Sequence, residues 1–157
     1  MIPLPPFPIP PIDELLDTIV MPWCEEHSAH AIRHGRALTP DEMQIAACVG
    51  AEDPKRIRVL SVPQVPFPEN KLICSIAEHV GLSTGHIGSL TLGHGIIIRK
   101  DQQGRADVWP HEFRHVAQCE CLGGLRWFMR LHILEAIHFG YGMGPLEIDA
   151  KHAELLI

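Results

Sequence analysis

The sequence predicts an α+β fold. Three observations carry that expectation: apolar residues recur at helical spacing toward both ends of the chain, a glycine-punctuated middle holds the β-branched runs, and there is no internal repeat. The elements follow in order. Residues 1–11, Met1-Ile2-Pro3-Leu4-Pro5-Pro6-Phe7-Pro8-Ile9-Pro10-Pro11, are too proline-rich for a helix and read as an extended arm near polyproline II, mobile by default. Residues 12–157 form the single folded domain. Ile12, Leu15, Leu16, Ile19 and Val20 mark a helix from Ile12 to about Gly35, which Pro22 should kink or divide. Thr39-Pro40-Asp41-Glu42 then sets an N-cap, a proline at the first helical position and a carboxylate three residues on. Met43, Ala46 and Ala47 continue that helix toward Gly50.

Ile57 to Val62 alternates as a strand and ends before the prolines of 63–68, and Asn70 to Val80 is helical, with Leu72, Ile73, Ile76 and Ala77 inward. Ser89–Leu92 and Gly95–Arg99 are β-rich and close enough to pair or to make one bent strand, and Asp101–Gly104 turns the chain. From Asp107, taken as an N-cap, a helix runs through about Cys121. Gly123-Gly124 breaks it, a second helix runs through about His138, and Gly144-Pro145 opens a third.

Composition narrows the function. A length of 157 residues suits one domain, and a net charge of −6 without a basic run argues against a nucleic-acid partner. No apolar run approaches the ~18 residues of a membrane span. Five cysteines, odd in number and sparse, fit reduced thiols. With no export signal to read, the expected location is the cytoplasm.

His111-Glu112-Phe113-Arg114-His115 spells H-E-x-x-H. On a helix the two histidines lie about 40° apart in projection and one turn apart in height, so both imidazoles reach one ion. Glu112 sits beside them to take a proton from metal-bound water, the division of labour of a zinc hydrolase. A shuffled chain with 11 histidines in 157 residues would carry the pattern roughly 6% of the time, so context must support it. A third ligand must come from farther along, and Pro145-Leu146-Glu147-Ile148-Asp149-Ala150 offers two acids in the first turns of a helix. Glu147 is also a good residue for the third position of that helix without any metal.

His111 to Gln118 followed by Glu147-Ile148-Asp149-Ala150 resembles the gluzincin zinc peptidases, and also bacterial zinc-peptidase-like families with an H-E-x-x-H-x-x-Q helix, over roughly residues 107–154. The resemblance implies a zincin-like domain, Zn2+ held by His111, His115 and Glu147, Glu112 as general base, and a peptide or protein substrate cleaved at an amide bond. Lys151 stands where such families carry an aspartate, so the usual partner of a ligand histidine is absent or comes from elsewhere. Asp149 is the alternative third ligand or that partner. Tyr141, in Gly140-Tyr141-Gly142, and His138 are candidate donors to the developing oxyanion, although an aromatic plug in a glycine turn is the plainer role for Tyr141. The other class of function is a non-catalytic, metal-stabilised interaction domain that kept the H-E-x-x-H helix.

Other clusters carry less. His27, His30 and His34, with Cys24 one turn earlier, read as a solvated helix face. Cys119 and Cys121 point about 200° apart on a helix and cannot chelate one ion. Leu125, Phe128, Met129, Leu131, His132 and Leu134 read as core packing against the H-E-x-x-H helix. His86 and His94 flank a glycine-rich β segment, and Gly93–Ile98 is a candidate edge for pairing with a peptide backbone, by analogy with zinc peptidases, though an ordinary buried strand suits it better.

Overall fold

The structure, a computed structural model, describes residues 2–157. Its elements run α1 (Ile12–Leu15), a π-helical turn (Leu16–Val20), α2 (Met21–His34), β1 (Arg36–Ala37), α3 (Pro40–Cys48), β2 (Arg58–Val62), α4 (Lys71–Val80), β3 (Ser89–Leu92), β4 (Gly95–Arg99), α5 (Val108–Cys121), α6 (Leu125–Phe139) and α7 (Pro145–Ala153). The architecture is α+β. A four-stranded mixed sheet has the order β1-β2-β4-β3, with β2 parallel to β4 and the outer pairs antiparallel.

Pro22 does not break its helix. It lacks an amide donor and crowds the preceding turn, and the residues just before it widen into the π-helical turn that carries the chain through. At α3 the capping box forms in full: Thr39 Oγ1 accepts from the Glu42 amide, and Glu42 Oε2 accepts from the Thr39 amide. Asn70 caps α4 by accepting from the amides of Leu72 and Ile73. Asp107 makes no such cap. Its backbone is already helical and its carboxylate is taken by Arg105.

The sheet is covered on both faces, and the alternation of β4 shows how. Ile97 packs with Leu15, Leu16, Val20 and Cys24 on one side, while Ile96 and Ile98 meet Phe113 and Val116 on the other. Helix α2 lies close over this strand, because a Cβ on Gly95 would stand 3.0 Å from the Ser28 carbonyl oxygen and 3.1 Å from the Ala31 Cβ. β4 is therefore central, paired on both edges, and unavailable as a peptide-binding edge. The edge strands are β1 and β3, and β3 is the one beside α5. There Leu90 and Leu92 join the first core, and Ser89 and Thr91 point to α5.

The proline arm lies against the domain. The Ile2 amide donates to the His138 carbonyl at 3.3 Å, His79 Nε2 donates to the Pro3 carbonyl at 2.8 Å, and Phe7 packs edge-on against His79. Apolar contacts of Ile2, Phe7 and Ile9 with the first core offset the entropy that a free tail would keep. Cys119 is buried and Cys121 exposed, as their helical phase requires. Among the described residues no helix is long and apolar enough to cross a membrane.

Candidate metal centre

Helix α5 carries His111, Glu112 and His115 on the side that meets α7 and β3. Phe113, Val116 and Ala117 anchor its opposite phase in the core, which turns His111 and His115 toward α7. Gly123 and Gly124, both at positive φ, reverse the chain into α6, and the Gly140–Gly144 segment brings α7 back across α5. A side chain is excluded at Gly144. A Cβ there would lie 2.6 Å from Glu135 Oε2, the oxygen that accepts from the Leu146 amide at 2.9 Å. Glu135 on α6 thus satisfies an open N–H at the start of α7, which fixes where the next residue, Glu147, projects.

His111 Nε2 and His115 Nε2 are 3.1 Å apart, and the two oxygens of Glu147 stand 3.5 Å from the first and 3.3 Å from the second. Adjacent ligands on a tetrahedral zinc with bonds of about 2.0–2.1 Å are roughly 3.3–3.4 Å apart. The three side chains therefore fit one ion. Among the described residues, this trio is the group of three or more potential ligands close enough to share a metal.

The outer hydrogen bonds agree with the fit. His111 Nδ1 is 2.8 Å from Glu154 Oε1, and His115 Nδ1 is 2.7 Å from Gln118 Oε1. Acceptors at both Nδ1 atoms place the ring protons there and leave both Nε2 lone pairs facing each other and the Glu147 carboxylate. Three electron-rich groups converging in this way need a cation between them. Protons fill that need in the metal-free protein. Burial opposes charge on His111, yet hydrogen bonding to Glu147 and the nearby Glu112, Glu147 and Glu154 carboxylates raise its pKa to about 9. The same balance raises His115. Burial works against ionised Glu147 too, but its bonds to both histidines hold it well below the usual carboxylate range.

The sequence reading left the third ligand between Glu147 and Asp149, and the geometry separates them. Asp149 accepts from Arg114 Nε at 2.7 Å and from Gln118 Nε2 at 2.7 Å, so it points away from the histidine pair and braces Gln118. The partner of His111 Nδ1 is Glu154, two turns past Glu147 on the same helical phase. Lys151 instead donates to the Gly142 carbonyl at 2.8 Å, tying α7 to the turn that holds Tyr141.

Glu112 is buried, and both of its oxygens are engaged. Ser89 Oγ donates to one and Thr91 Oγ1 to the other, each at 2.6 Å. A carboxylate has about four lone-pair sites, so each oxygen can accept once more. Glu112, His111, His115, Glu147, Tyr141 and His132 line one pocket of about 140 Å3. Tyr141 is held by its amide on the Val80 carbonyl, and burial followed by the nearby carboxylates raises its hydroxyl to about 12. His138 lines no part of this pocket. It stacks edge-on against Phe139 near the arm.

Sequence reasoning assigned His132 to the core alone. It stacks on Phe128 and comes within 4.0 Å of Glu147 Oε1, and burial lowers its pKa to about 4, leaving a neutral ring beside the ligands. Its position one helical turn after Phe128 signalled burial and nothing more. Ser89 and Thr91, two apart on a strand, carried a same-face signal whose target was invisible. Comparison of the chain with protein-family models, with curated proteins and with solved structures returned no match.

Proposed function

We propose that the protein is a zincin-like zinc metallopeptidase, or a closely related zinc hydrolase, acting on an amide bond of a peptide or protein. The observation that carries this reading is the convergence of two lone-pair-bearing histidine nitrogens and a carboxylate at tetrahedral spacing, with Glu112 in the same pocket. His111, His115 and Glu147 would hold the ion. Zn2+ bound there would supply Lewis acidity and would make water a nucleophile near neutral pH. Glu112, oriented by Ser89 and Thr91, takes the proton of the attacking water on a carboxylate oxygen and passes it to the leaving amine. Tyr141 and the neutral His132 ring are donors on the pocket wall for the oxygen that gains charge. Free thiols throughout suit a reducing compartment, and the reading sets the enzyme in the cytoplasm.

One observation favours a second reading. The two hydroxyls on Glu112 make it a structural tie between α5 and β3, as a non-catalytic metal-stabilised domain would use it. Zinc analysis of the wild type and of His111→Ala tests the centre: stoichiometric zinc lost in the variant supports it, and no zinc in the wild type removes it. A peptide library then separates the two readings. Cleavage by the wild type and not by folded, zinc-loaded Glu112→Gln supports the enzyme, whereas equal behaviour of both shows that Glu112 is not the base.

A further inference from the structure

Beside the metal pocket lies a second, partly open cavity of about 150 Å3 between α2, α4, β3 and α6. Trp23, Phe67, Ile73, Ile76 and Ile133 are among its walls, and it is almost wholly apolar. The two cavities adjoin: Ser89, Leu90, Met129, His132 and Tyr141 belong to the walls of both. Apolar space of this size accepts a benzene-sized guest. The metal pocket is lined by ionisable side chains, so an apolar side chain of a peptide held at His111, His115 and Glu147 has the adjoining apolar space to fill.

We propose that this cavity receives the side chain next to the scissile amide, and that the substrate is a peptide bearing a leucine- to phenylalanine-sized apolar residue at that position. The inference rests on the metallopeptidase reading. Burying such a group is worth roughly 1.5–3 kcal/mol, a 10- to 100-fold preference over a methyl group. A cationic side chain has no partner in the cavity and gains nothing from entering it.

The test uses three hydroxamates on the zinc-loaded protein and toluene on the metal-free protein. Ala136 and Ala77 line the cavity but not the metal pocket. The proposal expects 3-phenylpropanohydroxamate to bind 10- to 100-fold tighter than acetohydroxamate, and 6-aminohexanohydroxamate to show no such gain. Ala136→Phe should erase the preference while acetohydroxamate binding persists. Toluene should raise the melting temperature of the wild type and not of that variant. Ala77→Leu, a smaller filling, repeats the comparison if Ala136→Phe does not fold. Equal affinity for the three hydroxamates, or a preference untouched by both fillings, overturns the proposal. Failure of the metal reading looks different: no zinc and no hydroxamate binding, with toluene still bound, which removes the substrate role and leaves a plain apolar cavity.

Discussion

On the proposed reading zinc and protons compete for the same nitrogens, so pH is the sharpest perturbation of the centre. In the metal-free protein His111 keeps its proton up to about pH 9. At pH 7 that proton must be displaced against about two units, close to 3 kcal/mol or roughly a 100-fold loss of apparent zinc affinity. His115, raised in the same direction, adds to the slope. Competition with a zinc-sensitive chelator between pH 6.5 and 9.5 should show affinity climbing about tenfold per unit for each proton released, and levelling once His111 has titrated. Thermal melts check the sign from the other side. A histidine pKa raised above 6.5 stabilises the metal-free fold fully below pH 6.5, and the contribution is lost as pH rises through about 9. Glu147, depressed from 4.5, stabilises above that value and loses its contribution as pH falls. Metal-free protein should therefore be most stable between about pH 4.5 and 6.5, and added zinc should move the optimum upward. An affinity that is flat from pH 7 to 9 would refute the protonated, cation-seeking histidine pair.

Three further outcomes follow from the surroundings of the ligands. Glu154→Gln weakens the acceptor on His111 Nδ1 and should lower zinc affinity about 10- to 100-fold with little change in the fold, read by chelator competition. Thr91→Val removes one of the two hydroxyls on buried Glu112 and should cost about 1.5–3 kcal/mol in denaturant unfolding, because a carboxylate oxygen buried between α5 and β3 loses its donor. Gly144→Ala forces a Cβ against Glu135 and should cost about 1–3 kcal/mol and loosen zinc binding together, since the start of α7 sets the direction of Glu147. Unchanged stability there would show that Glu135 yields freely.

Much of the fold could be read from the chain because its signals are local. The Thr39 capping box, the Asn70 cap, the glycine breaks and the helical phase of His111 and His115 depend on residues a few positions apart, where backbone geometry alone fixes the relationship. The Asp107 cap failed for an equally local reason, since Arg105 lies closer to its carboxylate than the helix amides do. The choice of edge strand could not be read, because β4 becomes central only when β2 pairs with it in parallel, a contact across more than thirty residues.

The site divides along the same line. By itself the sequence determined that two histidines and a carboxylate share a helix face, and that an acid-bearing helix follows. Tertiary structure decided that Glu147 rather than Asp149 meets the histidines, that Glu154 and Gln118 orient them, and that Ser89, Thr91 and His132 complete the pocket. The physical reason is range. Helical phase repeats every few residues and is written in spacing, whereas the packing of α7 and β3 on α5 comes from burial shared by the whole core, which no single stretch of sequence encodes.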